Sequence, residues 1–131
     1  MRLRHKVAIV TGSARGLGKV MALRMAAEGA KVAITDLNYE GCLSVRDEIV
    51  KMGQEAIAVK CDVTNRAEVA AMVEETVKCF RTVDILVNNA GITRDASLGK
   101  MTDEQWDAVL NTNLKSMFIC TQEVTKYMIP R

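Results

Sequence analysis

Two kinds of segment alternate along this chain, and they differ in the spacing of their apolar residues. Four short runs, at residues 7–11, 32–35, 56–59 and 85–87, are apolar almost throughout, which is typical of parallel strands covered on both faces. The longer segments between them repeat apolar residues at three- and four-residue steps, as amphipathic helices do. The order β-α-β-α-β-α-β predicts an α/β fold with a doubly wound parallel sheet and right-handed crossovers.

Turn and capping residues indicate where the first three helices begin and end. Gly29 follows the first helical pattern and Gly53 the second, so each glycine is predicted to end its helix. Asn65 and Glu68 can form a capping pair before the third helix. The residues predicted to share an apolar face are Leu17, Met21 and Met25 in the first helix, Cys42, Val45, Ile49 and Met52 in the second, and Val69, Met72, Val73, Thr76, Val77 and Phe80 in the third.

The last segment predicts one long helix, which begins at a capping box over residues 102–105 and ends at Pro130, the only proline. Its predicted apolar stripe comprises Trp106, Val109, Leu110, Leu114, Met117, Thr121, Val124 and Met128. Asn113 interrupts this stripe, and a buried amide without partners costs about 1–3 kcal/mol. Asn113 is therefore either bonded to neighbouring backbone or held beside a functional site, and we favour the site.

Composition narrows the class of protein. A chain of 131 residues has room for one domain, residues 1–131, and its 49% hydrophobic and 26% charged content is ordinary for a soluble globular protein. A net charge of +2 favours neither nucleic acid nor a membrane as partner. The four cysteines are widely spaced and contain no Cys-x-x-Cys pair, so we expect reduced thiols and no metal site. The apolar run behind the basic start is too short for a signal core, and a cytoplasmic location is expected.

Glycine or polar residues follow each of the four predicted strands. They are residues 12–18 after the first strand, Asp36 at the end of the second, Asp62 after the third and residues 88–91 after the fourth. The carboxyl ends of parallel strands meet at one edge of a sheet, where open α/β sheets bind their ligands. An aspartate after a strand is often only a helix cap, but such signals at four consecutive strand ends favour a binding site.

The glycine turn at residues 12–18 joins a strand to a helix, an arrangement that binds phosphate through backbone N–H groups and the helix N-terminus. It nearly fits the P-loop of nucleoside triphosphate-binding proteins, but Ser13 replaces the first glycine and Val20 lacks the hydroxyl that binds Mg²⁺. A dinucleotide site fits better, because Asp36 lies eighteen positions after Gly18, close to the spacing of the acidic residue that binds the adenosine ribose. The turn and Asp36 together predict a Rossmann-type dinucleotide-binding domain.

The glycine spacing G-x-x-x-G-x-G at residues 12–18, together with Asn88-Asn89-Ala90-Gly91, resembles the short-chain dehydrogenase/reductase family. Residues 91–95, 106–107 and 112–114 are most similar to the 3-oxoacyl-[acyl-carrier-protein] reductases of that family. The resemblance covers nearly the whole chain. It implies a hydride transfer between a nicotinamide and a carbonyl, with a 3-oxoacyl thioester as substrate.

The resemblance also implies roles for individual residues. The residues implied to hold the pyrophosphate are Gly12, Ser13, Arg15, Gly16, Leu17 and Gly18. Those implied to flank the adenine are Asp62 and Val63, and those implied to line the nucleotide are Asn89, Ala90 and Gly91. Asn113 matches the catalytic asparagine of the family, which supports a water molecule in the proton relay. This role gives a reason for an amide on an apolar stripe.

Charge near the adenosine ribose bears on the choice between NAD and NADP. Asp36 would face the 2′-phosphate of NADP, and two like charges at about 4 Å repel each other by about 1–4 kcal/mol in a wet to semi-wet site. Leu37 stands where NADP-preferring relatives often carry a basic residue, whereas Arg15 could pair with a phosphate. We predict NAD as the cofactor, with NADP as the alternative.

The resemblance implies further catalytic residues, a serine and a Tyr-x-x-x-Lys pair, in a segment that this sequence does not contain. Tyr127 and Arg131 mimic the spacing, but Tyr127 lies about 21 Å along an α-helix from Asn113, and arginine does not release its proton. Tyr39 has no such partner. The chain therefore resembles the amino-terminal half of a reductase, truncated after the fourth strand and the long helix that follows it. Such a chain is expected to bind the adenosine half of NAD but to be inactive. Its open strand edge and partly uncovered last helix favour a homo-oligomer.

Three hypotheses for function follow from these residues. The first is an NAD(P)-dependent reductase of 3-oxoacyl thioesters, and the second is a reductase of the same family that acts on another carbonyl or a polyol. The third is a non-catalytic dinucleotide-binding or interaction module. The presence of a serine and a Tyr-x-x-x-Lys pair beyond Arg131 would favour either reductase over the module.

Overall fold

A computed structural model of the chain describes residues 1–91 and 98–128. Four parallel strands form one sheet in the order β3-β2-β1-β4, with Val7–Thr11 as β1, Lys31–Asp36 as β2, Ala56–Lys60 as β3 and Ile85–Val87 as β4. The helices are α1 (Gly16–Ala27), α2 (Tyr39–Lys51), α3 (Arg66–Phe80), α4 (Asp103–Val109) and α5 (Ser116–Met128). A 3₁₀ turn (Leu98–Lys100) precedes α4, and a π turn (Leu110–Lys115) joins α4 to α5.

Helices cover both faces of the sheet, which confirms the predicted doubly wound α/β fold. Neighbouring residues of a strand point to opposite faces. Val10 and Ile34 thus belong to the core beneath α1 and α2, whereas Ile9 and Ala33 belong to the core beneath α3 and α5. Because both faces are covered, all five residues of β1 are buried. The unbroken apolar run of the sequence follows from this double burial.

Capping groups define the helix ends much as the sequence predicts. Gly29 and Gly53, with φ of 99° and 85°, follow α1 and α2 in the left-handed conformation that glycine adopts without strain. Thr102 and Gln105 form the reciprocal capping box at the start of α4. The Asn65 side chain caps α3, but its predicted partner Glu68 does not return the bond. The Glu68 carboxylate instead accepts from the backbone N–H of Asp62 at 3.1 Å.

The buried face of α1 is not the predicted one. Leu17 is exposed and Met21 only half-buried, whereas the buried residues are Gly18, Ala22 and Ala26. The small residues bring the helix axis close to β1. A Cβ atom on Gly18 would overlap the carbonyl oxygen of Gly12. Small side chains that allow close approach, rather than large apolar ones, therefore form the buried face of α1.

The faces of α2 and α3 agree better with the prediction. The buried residues of α2 are Cys42, Val45 and Ile49, and those of α3 are Val69, Met72, Val73 and Thr76. Met52, predicted to belong to the face of α2, is exposed because it lies just beyond the last residue of that helix.

The predicted single long helix is two α-helices separated by the π turn, and this changes which residues are buried. Leu110, Leu114 and Met117 of the predicted stripe are exposed, while the buried apolar residues of α5 are Ile119, Cys120 and Val124. A π turn contains more residues than an α turn, so it rotates the apolar face on one side of it relative to the other. At this turn the Ser116 hydroxyl donates to the carbonyl oxygen of Thr112. The predicted helix end at Pro130, the candidate Arg131 and residues 92–95 of the family motif lie outside the described residues.

Candidate functional site

A cavity of about 690 Å³ opens at the carboxyl edge of the sheet, where the glycine and polar residues after the strands come together. Nine of the predicted site residues line it, namely Gly12, Arg15, Gly16, Asp36, Asp62, Val63, Asn89, Ala90 and Gly91. Further lining residues, which the sequence did not single out as site residues, are Leu37, Cys61, Thr64, Ala108, Asn111 and Thr112. The last three of these come from α4 and the π turn. Four strand ends and a distant helix thus form one cavity.

The glycine turn lies directly against the segment after β4. Gly12 has φ of 64°, and a Cβ atom there would lie 2.9 Å from the Cα atom of Ala90. The carbonyl oxygen of Gly12 accepts from the side-chain amide of Asn89 at 3.1 Å. Gly16 has φ of 58°, and in the described part of the chain no atom is recorded within 4 Å of where its Cβ would be. Gly12 and Gly18 therefore allow close packing within the protein, whereas Gly16 borders open space.

Thr11 fixes the distance between the same two segments. Its hydroxyl oxygen accepts from the backbone N–H groups of Asn89 and Ala90, both at 2.9 Å, and its hydroxyl donates to the carbonyl oxygen of Val87 at 3.3 Å. Sequence reasoning did not single Thr11 out as a site residue. The available signal was a buried hydroxyl at the end of an otherwise apolar strand, since such a group needs partners.

Ser13 is completely buried and its side chain bonds only within the protein. Its hydroxyl donates to the carbonyl oxygen of Val10 at 2.7 Å and accepts from the backbone N–H of Thr35 at 3.0 Å. Its own N–H donates to the carbonyl oxygen of Thr35 at 3.0 Å. Ser13 thus extends the pairing of β1 with β2 into the turn, and neither it, Leu17 nor Gly18 lines the cavity.

The carboxylate of Asp36 lies at the end of β2, on the wall of the cavity. One oxygen accepts from the backbone N–H of Ala14 at 3.3 Å, and the other accepts from that of Asn38 at 3.2 Å. These bonds orient the carboxylate between the glycine turn and the start of α2. An acceptor held in this way suits a ligand that offers hydroxyl groups.

The turn after β3 is tied together by its own side chains. An oxygen of the Asp62 carboxylate accepts from the backbone N–H of Thr64 at 2.9 Å and from its hydroxyl at 2.6 Å. The N–H of Asn65 donates to the carbonyl oxygen of Asp62 at 3.0 Å. This wall of the cavity is therefore held by hydrogen bonds within the turn.

Asn113 lies in the π turn, half-buried, next to Gly91. Its side-chain oxygen is 2.8 Å from the position of a Cβ atom on Gly91. Asn113 does not itself line the cavity, although its neighbours Asn111 and Thr112 do. Leu110 and Leu114, between which the sequence placed it on an apolar face, point outward and are exposed.

Three of the four cysteines are buried. Burial raises the pKa of Cys42 to about 11, of Cys61 to about 12 and of Cys120 to about 11. All four are free thiols. Over residues 1–91 and 98–128, no group of histidine, cysteine and acidic side chains is arranged to hold a metal ion.

The fold and this cavity define a class, that of open parallel α/β domains with a ligand site at the carboxyl ends of their strands. A family model of the short chain dehydrogenases matches residues 6–131. The chain belongs to the short-chain dehydrogenase/reductase family of dinucleotide-binding oxidoreductases, as its glycine turn and Asn-Asn-Ala-Gly segment predicted. In the described part of the chain, no helix has both the length and the apolar character needed to cross a membrane.

Individual relatives agree with this assignment. The chain is 42% identical over 129 residues to a (2S)-[(R)-hydroxy(phenyl)methyl]succinyl-CoA dehydrogenase subunit of Thauera aromatica. It is 44% identical over 129 residues to a 3-oxoacyl-[acyl-carrier-protein] reductase of Staphylococcus epidermidis, and 45% identical over 131 residues to one of a Synechocystis species. The matches cover 98%, 95% and 97% of this chain, respectively, but only 52% of each relative. The chain thus spans about half the length of these relatives.

Proposed function

We propose that the cavity binds NAD and that the whole protein is an NAD-dependent oxidoreductase of acyl thioesters. The observation that carries the first part is the N-terminus of α1. The side chains of Asn38, Asn65 and Thr102 cap α2, α3 and α4. The N-cap residue of α1, Arg15, provides no side-chain cap, and the first turn of α1 contains no acidic residue. Its N–H groups and positive helix end are suited to a pyrophosphate.

The other parts of a dinucleotide correspond to the remaining walls of the cavity. We assign the pyrophosphate to the glycine turn, the adenosine ribose hydroxyls to the Asp36 carboxylate and the adenine to Asp62 and Val63. Asn89, Ala90 and Gly91 line the rest of the nucleotide. In this assignment Ser13 and Gly18 act through the shape of the turn rather than by contact with the ligand.

The similarity to these relatives supports the reaction proposed for the whole protein. A bound nicotinamide supplies or accepts a hydride at a carbonyl or alcohol carbon. The three relatives are named for oxo or hydroxy acyl groups on an acyl carrier protein or CoA, so a 3-oxoacyl thioester is the proposed substrate. Asn113 is proposed to orient a water molecule of the proton relay from its position behind Gly91. The chain of 131 residues contains no Tyr-x-x-x-Lys pair and is proposed to be inactive by itself.

A binding titration tests the nucleotide assignment. We expect NADH to bind the chain more tightly than NADPH, by several-fold to several hundred-fold, because Asp36 repels the 2′-phosphate. Asp36→Asn should reduce this preference, whereas Asp47→Asn, at an exposed carboxylate of α2, should not. If neither nucleotide binds, the proposed function is wrong. If NADPH binds more tightly, only the account of Asp36 is wrong.

An activity assay tests the proposed inactivity. The purified chain should not oxidise NADH in the presence of an acetoacetyl thioester, and measurable turnover would refute this proposal. The sequence of the whole protein beyond Arg131 provides the complementary check, since a serine and a Tyr-x-x-x-Lys pair are expected there.

We also propose that the chain self-associates through the outer face of the π turn and α5. Leu110, Leu114 and Phe118 are exposed there along a groove of about 670 Å³. The exposed Met117 lines a neighbouring groove of about 380 Å³, which shares Leu114 and Phe118 with the first. Such a contiguous exposed patch favours association. Sedimentation analysis should show a dimer or larger species that Leu114→Glu dissociates and that Val50→Glu, at an exposed apolar residue of α2, leaves intact. A monomeric wild-type chain would contradict the proposal.

A further inference from the structure

A group of charged residues joins α3 to α5. The carboxylate of Glu123 is 8% exposed and accepts from the Arg66 guanidinium at 2.8 Å. The Lys126 ammonium donates to both of its oxygens at 3.0 Å. The Arg66 guanidinium carbon also lies 5.9 Å from the centre of the Phe118 ring, within the range of a cation–π contact. Arg66 is therefore held between two side chains of α5.

Arg66 is connected directly to one wall of the cavity. It is the first residue of α3 and follows the cap residue Asn65, whose N–H donates to the carbonyl oxygen of Asp62. The residues just before it, Val63 and Thr64, line the cavity. A displacement of Arg66 would thus move the turn to which the adenine is assigned.

Glu123 is connected to another wall. It lies on α5, which continues from the π turn without a break, and Asn111 and Thr112 of that turn line the cavity. Thr121, two residues before Glu123, accepts a hydrogen bond at 3.4 Å from the side chain of Asn88, just after β4. The position of α5 therefore determines where the second wall lies.

We propose that Arg66 and Glu123 are positioning residues that set the spacing between two walls of the nucleotide cavity. One wall is the turn at residues 62–65, and the other is the π turn at residues 110–115. This inference rests on the proposed nucleotide function, to which it adds two residues outside the site. Neither residue touches the cavity, so each acts on the ligand only through the turn at residues 62–65 or through the π turn. Removal of either side chain should let these turns move and so loosen the cavity, although every residue that lines it is still present.

Affinity for ADP-ribose, which contains the adenine assigned to Asp62 and Val63, is the direct test. We expect Arg66→Met and Glu123→Gln each to weaken ADP-ribose binding about three- to tenfold, as measured by calorimetry. The double variant should be no weaker than the weaker single variant, because the two residues act as one contact. Arg66→Lys, which keeps the positive charge, should recover part of the affinity. Arg66→Met leaves Glu123 paired with Lys126, so this variant is expected to fold even if Glu123→Gln does not.

A matched control separates positioning from stability. Glu55→Gln removes the 3.4 Å ion pair with Lys31, which lies beside the amino ends of β2 and β3, at the edge of the sheet opposite the cavity. ADP-ribose affinity should stay within about twofold of the wild type. A merely structural role would give the Arg66 and Glu123 variants a lower unfolding temperature with unchanged affinity in the folded state. That result, or additive effects in the double variant, would overturn this inference. Failure of the wild-type chain to bind ADP-ribose would instead overturn the proposed function.

Discussion

The side-chain oxygen of Asn113 lies 2.8 Å from the position that a Cβ atom on Gly91 would occupy. At this distance a Cβ atom would displace the oxygen. The Asn113 side chain therefore occupies its position only because residue 91 is a glycine. Gly91 follows β4 and Asn113 lies in the π turn. In the sequence, only the resemblance to the reductase family relates these two segments to each other. Their contact brings the π turn to the end of β4 and to the cavity.

Gly91→Ala should therefore displace the Asn113 side chain. We expect a loss of about 1–2 kcal/mol in the free energy of unfolding, because one flexible side chain has to move. Gly99→Ala is the matched control, since no atom of residues 1–91 or 98–128 is recorded within 4 Å of where its Cβ would be, and its effect should stay within about 0.5 kcal/mol. Urea unfolding of both variants measures the difference. Equal stability of the two would mean that Asn113 is not confined by Gly91.

Substitution of two glycines in the same turn should lower the free energy of unfolding by very different amounts. A Cβ atom on Gly18 would overlap the Gly12 carbonyl oxygen and the Asn89 amide, so Gly18→Ala should cost about 3 kcal/mol or more. Gly16→Asn should cost only about 1 kcal/mol, since asparagine tolerates a φ of 58° and the surroundings are open. Thermal unfolding of both variants is the measurement. A tolerated Gly18→Ala would contradict the close packing of α1 on β1.

Thr11→Val should destabilise the fold although it preserves shape. The substitution leaves the backbone N–H of Ala90 without its acceptor, whereas the N–H of Asn89 keeps the Val87 carbonyl oxygen at 3.1 Å. The expected cost is about 1–3 kcal/mol. Thr125→Val removes a hydroxyl that bonds only to the Gln122 carbonyl on the surface of α5, and should cost about 0.5 kcal/mol or less. Chemical denaturation of the pair tests this, and a Thr11 variant no less stable than the Thr125 variant would refute it.

The contribution of Glu123 to stability should depend on pH. The hydrogen bond from Lys126, and after it the one from Arg66, hold the pKa of Glu123 below its usual range, although burial acts in the opposite direction. Its contribution is therefore complete above the unfolded pKa of about 4.3 and is lost as the pH falls through the lower folded pKa. The stability difference between the wild type and Glu123→Gln should be constant from about pH 7 to pH 5 and shrink at lower pH. Unfolding free energies measured across this range test it; a difference that grows on acidification would be the wrong sign.

The cysteines should differ sharply in their reaction with a thiol reagent. Cys42, Cys61 and Cys120 are buried, and their pKa values of about 11, 12 and 11 leave almost no thiolate at neutral pH. The pKa of Cys79 is also raised, by desolvation and then by the Glu75 carboxylate, but Cys79 is exposed. One thiol should react in the native chain and four after denaturation. Cys79→Ser should abolish the native reaction, and rapid labelling of that variant would show that the core opens.

Much of the fold was predictable because burial on both faces leaves a strong signal in the strands. The apolar runs gave the sheet, and the capping residues Asn65 and Thr102 gave two helix starts. The buried face of α1 was not predictable from apolar spacing, because Gly18 and Ala22 are buried through their small size while Leu17 is exposed. Hydrophobicity measures what a side chain gains from burial, and not how closely two backbones can approach.

The cavity residues that follow strand ends were predictable from the sequence, whereas those from α4 and the π turn at residues 108–112 were not. Asp36 and Asp62 reach the cavity because parallel strands end at one edge. Ala108, Asn111 and Thr112 reach it only because α4 and the π turn fold back over that edge, which no local pattern indicates. Ser13 belongs to the motif but points into the protein, since one hydroxyl can complete either a ligand contact or a backbone pairing.

The π turn has a consequence for how this helix can change in evolution. It holds one residue more than an α turn, so it amounts to a single inserted residue within an otherwise continuous helix. Deletion of one codon there would restore regular winding and turn everything before it by about 100°, carrying Ala108 away from the cavity. A substitution at an exposed residue of this stretch, such as Leu114, keeps the number of residues and hence the direction in which Ala108 points. A change in the number of its residues would instead separate Ala108 from Asn111 and Thr112, which line the cavity together.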